Sequence, residues 1–85
     1  MLLILTVPVL AIAGPVDVNT ADAETISAEL KGVGITKAIA IVEYRKANGP
    51  FRSVEDLALV KGIGERTVDM NREFILLNST ASKSK

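Results

Sequence analysis

The sequence predicts an all-α fold: one small domain of two similar helix pairs, each joined by a short glycine turn and related to the other by a pseudo-twofold axis. Three observations predict it. Leu30-Lys31-Gly32-Val33-Gly34-Ile35-Thr36-Lys37 returns thirty positions later as Val60-Lys61-Gly62-Ile63-Gly64-Glu65-Arg66-Thr67, and four of the six glycines lie in these two stretches. Between them, Ile35, Ala38, Ile39, Ile41 and Val42 have the spacing of an amphipathic helix. Asn48-Gly49-Pro50 then stops that helix and separates the two pairs.

In chain order, Leu2 to Ala13 is apolar apart from Thr6 and Pro8. The run is shorter than the ~20 residues that span a bilayer. It suits the apolar region of a secretory signal, with Ala11-Ile12-Ala13 as a small-x-small cleavage pattern before Gly14, although no Lys or Arg precedes it. Residues 1–13 are therefore expected to be a signal peptide cleaved near Ala13-Gly14, giving a periplasmic or otherwise exported protein. An uncleaved anchor and a buried helix are the alternatives.

Residues 14–18, with Pro15, are expected to form an extended linker to a domain over residues 19–77. Asn19 or Thr20 can cap a first helix from about Ala21 to Leu30, with Asp22 and Glu24 favoured by the dipole of its first turn. Ile26 and Leu30 share one face of it, and Gly32 ends it. The second helix runs from Ile35 or Thr36 to Ala47, with Glu43, Arg45 and Lys46 toward water.

Phe51 packs across the next helix start. Ser53 and Asp56 have capping-box spacing for a third helix, Val54 to Leu59, with Leu57 and Val60 inward. A fourth, Glu65 to Leu77, buries Val68, Phe74, Ile75 and Leu77. Residues 78–85 are Ser, Thr, Lys, Ala and Asn, expected to be a disordered tail, and Asn78-Ser79-Thr80 fits the glycosylation tripeptide.

Composition excludes several chemistries. With no His and no Cys among 85 residues, the usual general base, thiol nucleophile, disulfide and soft metal site are missing. The carboxylates fall on outer helix faces, Ser27 and Ser53 have no partner base, and Tyr44 and Phe51 are too few for a single-strand stacking platform. No catalytic residue, cofactor, metal or small-molecule substrate is expected. Ten basic and ten acidic residues cancel, so a nucleic acid could not be held by a basic cloud.

It could be held locally. A helix start exposes unpaired N–H groups and partial positive charge, and glycine lets a phosphate approach the backbone. Gly32, Gly34, Gly62 and Gly64 would supply the backbone grip, with Thr36, Lys37, Arg66 and Thr67 beside it. Lys37 and Arg66 sit in first helical turns, where the dipole disfavours a cation by ~0.3–1 kcal/mol unless an anion binds. Lys31 and Lys61 follow helix ends, where the dipole accounts for them. Glu65 repels phosphate and makes the first hairpin the cleaner site. The competing reading is structural: Gly32 and Gly62 as plain helix ends in a protein-contact fold.

At these residues the sequence resembles the tandem helix-hairpin-helix, or (HhH)2-like, family, and within it the ComEA-type competence DNA receptors. The likeness covers about Val18 to Phe74. It is carried by Val18-Asn19-Thr20-Ala21, Leu30-Lys31-Gly32-Val33-Gly34, Lys37-Ala38, Ile41-Val42, Tyr44-Arg45, Asn48-Gly49-Pro50-Phe51, Ser53-Val54-Glu55-Asp56-Leu57 and Val60-Lys61-Gly62-Ile63-Gly64-Glu65. The resemblance implies sequence-nonspecific binding of double-stranded DNA through its backbone, across the minor groove. It also implies a soluble periplasmic role in DNA uptake during natural transformation, with the membrane uptake machinery as partner. The same tandem fold resembles the extrinsic luminal subunit of photosystem II, which uses it for protein contacts.

Overall fold

Seven short elements follow one another in the computed structural model, which describes residues 15–77. The expected signal at 1–13 and the expected tail at 78–85, with its glycosylation tripeptide, lie outside the described residues. The order is β1 (Val16–Asp17), α1 (Ala23–Glu29), α2 (Ile35–Asn48), a 3₁₀ helix (Val54–Leu59), α3 (Glu65–Asn71), a 3₁₀ turn (Arg72–Phe74) and β2 (Ile75–Leu76). The chain is thus mostly helical, in two hairpin-linked units, as predicted. No helix among the described residues is long and apolar enough to cross a membrane.

Three elements differ from the sequence reading. Val16 and Asp17, expected in a linker, pair with Ile75 and Leu76 as two parallel strands. The amide of Val18 extends the pairing to the Leu76 carbonyl at 3.2 Å, and its side chain is fully buried. The fourth helix accordingly ends early. Its α-helical part stops at Asn71, and the 3₁₀ turn swings Ile75 into the strand, where it reaches the core as a strand residue.

The first helix is capped by Asp22, whose carboxylate accepts the Thr25 N–H at 2.9 Å. Asn19 and Thr20 cannot cap it because they lie in a turn, with the amides of Thr20 and Ala21 bonded to the Asp17 carbonyl. Asn19 instead holds the start of the second unit. Its side chain accepts the Phe51 N–H at 2.7 Å and donates to the Phe51 carbonyl at 3.1 Å. The Phe51 ring, buried as expected, stacks on Tyr44 with centroids 5.3 Å apart.

The third helix is 3₁₀ rather than α, and the buried positions explain why. In α1, Ile26 and Leu30 are four apart, one α-turn; in the second unit Leu57 and Val60 are three apart. A helix of three residues per turn puts that pair on one face. Ser53 makes no capping bond; Asp56 accepts the Arg52 N–H at 3.3 Å.

One core joins both units: Ile26, Leu30, Val33 and Ile41 from the first, Leu57, Val60, Ile63 and Val68 from the second. Fully burying each large aliphatic contributes on the order of 2 kcal/mol. Within that core lies a single buried polar side chain among the described residues, Asn71, 1% exposed. It accepts the Lys31 N–H at 2.8 Å and donates at 2.9 Å to the carbonyls of Lys31 and Thr67. This amide ties α3 to the first hairpin.

Replacing Asn71 with Leu strands both backbone polar groups of Lys31, and a buried unsatisfied group costs about 1–3 kcal/mol. Asn71→Leu is expected to lower stability by about 2–4 kcal/mol in urea denaturation, and Asn71→Asp to destabilise as well by setting an oxygen against two carbonyls. The Asp22 and Glu55 carboxyls have lowered pKa values, the first chiefly from the Thr25 N–H and the second from the Arg72 side chain. Their stabilisation is present above the ordinary carboxylate range and is lost as pH falls through the depressed folded-state values. Urea midpoints should therefore fall on acidification, with a shallower fall in Asp22→Asn and Glu55→Gln.

Candidate nucleic-acid interface

Each hairpin is built around its middle hydrophobe. Val33 and Ile63 are 3% and 5% exposed, and so anchor the turns in the core while the glycines on either side face outward. The four glycines then separate into two kinds. Gly32 and Gly62 have φ of 75° and 92°, where a side chain is strained, so the turn itself requires them. Gly34 and Gly64 have φ of −75° and −101° with extended ψ, a conformation open to any residue. A Cβ added at either would meet nothing within 4 Å.

These two glycines are the N-caps of α2 and α3, and neither offers a side chain to the helix start. The first internal bonds run from Ala38 N–H to Gly34 (2.9 Å) and from Val68 N–H to Gly64 (3.1 Å). The amides of residues 35–37 and 65–67 therefore have no acceptor among the described residues. α1 differs, because Asp22 closes its N-terminus. Two helix starts left open behind bare, outward glycines can accept anions.

The predicted side chains are not all equally placed. Thr36 and Arg66 are exposed beside their hairpins. Lys37 is half-buried and crosses to the other unit, with its Cγ 3.5 Å from where a Gly62 Cβ would stand. That contact brings the two hairpins onto one face. Thr67 turns inward, lining a small interior seam with Leu30, Val33, Ile63 and Asn71.

Glu65 is exposed and lines a groove of about 300 Å³ with Glu55, Ala58, Val68, Asp69 and Arg72. There Arg72 pairs with Glu55 at 2.6 Å and Asp69 at 3.1 Å, which raises the Arg72 pKa further. Two of the groove's three carboxylates thus share one guanidinium, which balances one negative charge.

Sequence reasoning missed Asn71 and Met70. The signal for Asn71 was present: it occupies the position that Ile41 fills in the first unit, a polar residue at an inward place. Met70, 45% exposed, sets its methyl 3.7 Å from where a Gly32 Cβ would stand, a contact without sequence signature.

The sequence profile described as the helix-hairpin-helix motif matches residues 12–76. The chain belongs to the helix-hairpin-helix family. Within it the likeness is to the ComEA type: ComE operon protein 1 of Bacillus subtilis is 44% identical over 60 residues, which cover 71% of this chain and 29% of that protein. An uncharacterized protein of Haemophilus influenzae is 42% identical over 65 residues, covering 76% of this chain and 58% of that one. The human endonuclease/exonuclease/phosphatase family domain-containing protein 1 is 39% identical over 70 residues, 80% of this chain but 12% of its own length. The chain therefore spans less than two thirds of these relatives.

The glycines should separate in stability measurements as they do in geometry. Gly32→Ala and Gly62→Ala are each expected to cost about 1–2 kcal/mol from left-handed strain. Gly34→Ala and Gly64→Ala should stay within about 1 kcal/mol, a weaker cap being partly offset by a stiffer unfolded chain. Chemical denaturation of the four variants reads the difference directly.

Proposed function

We propose that the protein binds double-stranded DNA through its phosphate backbone without reading sequence, as a binding protein rather than an enzyme. The observation that carries this reading is the pair of open helix starts behind Gly34 and Gly64, glycines that neither backbone conformation nor crowding requires. Neutral N–H donors suit a phosphate and need no high net charge, which reconciles the reading with a formal charge of zero. The hairpin backbones at Gly32, Gly34, Gly62 and Gly64 make the closest approach, and Thr36, Lys37 and Arg66 surround them. Thr67 contributes its N–H, its side chain being turned to the seam.

We further propose that the domain is a periplasmic receptor for DNA uptake in natural transformation, handing DNA to membrane uptake machinery. The likeness to the ComEA type and the signal-like residues 1–13 support this placement. A protein-contact subunit on the same fold is the other reading, favoured by the balanced charge.

Duplex titration separates the two. Binding to any duplex sequence is expected with a Kd of ~10⁻⁴–10⁻⁶ M at physiological salt, weakening as salt rises. Gly34→Val and Gly64→Val should keep helicity and lose affinity. Absence of binding at low salt, or full affinity in the folded double variant, would refute the DNA reading. Mass spectrometry of the exported chain, locating its N-terminus, tests the periplasmic placement.

A further inference from the structure

We propose that Lys37 serves the second hairpin rather than its own, as the cation that holds a phosphate at that turn. The proposal rests on the phosphate-binding reading above and assigns one of its side chains across the two units. Lys37 belongs by sequence to the first hairpin, in the first turn of α2. Its stem nevertheless runs along the bare face of Gly62. Cγ, Cδ and Cε lie 3.5, 3.9 and 3.6 Å from where a Gly62 Cβ would be. Three successive carbons following one glycine carry the ammonium, the next atom, to the second turn. This is the usual division of a lysine, apolar stem on apolar surface and charged head in water. The ion pairs among the described residues all use Arg72, so no carboxylate there neutralises Lys37.

The reciprocal contact carries no charge. Thr67 stands where the repeat would place a second Lys37, and what covers Gly32 is the Met70 methyl. Lys31, the other cation near the first hairpin, has its ammonium 5.7 Å from the Phe74 ring centroid. The pseudo-twofold axis is therefore broken electrostatically. The second turn collects Lys37 in addition to its own Lys61 and Arg66, against the single Glu65. The first turn presents bare amides bordered by exposed Ile35 and Met70. The penalty that Glu65 imposes on the second hairpin is offset by a lysine from the first unit. The second hairpin becomes the salt-sensitive grip, while the first holds phosphate by neutral backbone donors.

The test is a double-substitution cycle read by salt-dependent duplex binding of the protein. Lys37→Met keeps the stem on Gly62 and removes the charge. It is expected to leave the melting temperature unchanged, weaken low-salt binding on the order of tenfold, and flatten the plot of log K against log salt by about 0.9. Lys37→Arg should restore the slope. In a Gly64→Val background Lys37→Met should cost little more, whereas in a Gly34→Val background it should cost its full effect. The opposite coupling, to Gly34, or an unchanged salt slope would overturn the assignment of Lys37 while leaving DNA binding intact. No binding by the unmodified protein at low salt would overturn the DNA reading itself.

Discussion

The grip of Asn71 on the Lys31 peptide is the constraint on which the hairpin arrangement depends. One amide meets both the N–H and the carbonyl of a residue forty positions away, and it also donates to the Thr67 carbonyl. Only a group with donor and acceptor on one short stem can do this in a site that excludes water. The bond orients the peptide immediately before Gly32, and so orients the turn that leads to the open start of α2. Asn19 does the equivalent at the other junction, bracketing the Phe51 peptide where the second unit begins. In a chain without cysteine or histidine, these two amides do part of what cross-links do in other small domains.

The hairpins show how one residue type can meet two unrelated demands. Gly32 and Gly62 are required by backbone conformation, and any chain making this turn would favour glycine there. Gly34 and Gly64 are required neither by conformation nor by crowding: their backbone is ordinary, their surroundings are empty, and as N-caps they could be replaced by other capping residues. Their absent side chains leave the way clear for something arriving from outside, and the open amides behind them favour an anion.

Charge is arranged rather than accumulated. The Arg72 bridge draws Glu55 and Asp69 into a groove between the 3₁₀ helix and α3. Among the described residues no carboxylate pairs with the hairpin cations, and Lys37 leaves its own unit to lie beside the other turn. A formal charge of zero over the whole chain thus coexists with a local excess of cations at the second hairpin, where Lys37, Lys61 and Arg66 stand against Glu65.

Much of this was legible in the sequence, since it rests on local rules. The repeat of Gly-hydrophobic-Gly, the apolar spacing of Ile35 to Val42 and the stop at Asn48-Gly49-Pro50 determined a mostly helical domain of two hairpin-linked units, with buried Phe51, Leu57 and Val60. They also located both hairpins. The 3₁₀ form of the third helix was written in the three-residue spacing of Leu57 and Val60, a signal that competes poorly with the expectation of an α-helix.

What the tertiary structure alone decided are the pairings between distant segments. Val16-Asp17 became a strand because Ile75-Leu76 was there to receive it. Asn19 became a clamp rather than a cap, Thr67 turned to the seam, and Lys37 came to rest on Gly62. Each of these depends on where the second unit lies against the first. That placement is set by the collective burial of one shared core, which no local spacing rule encodes.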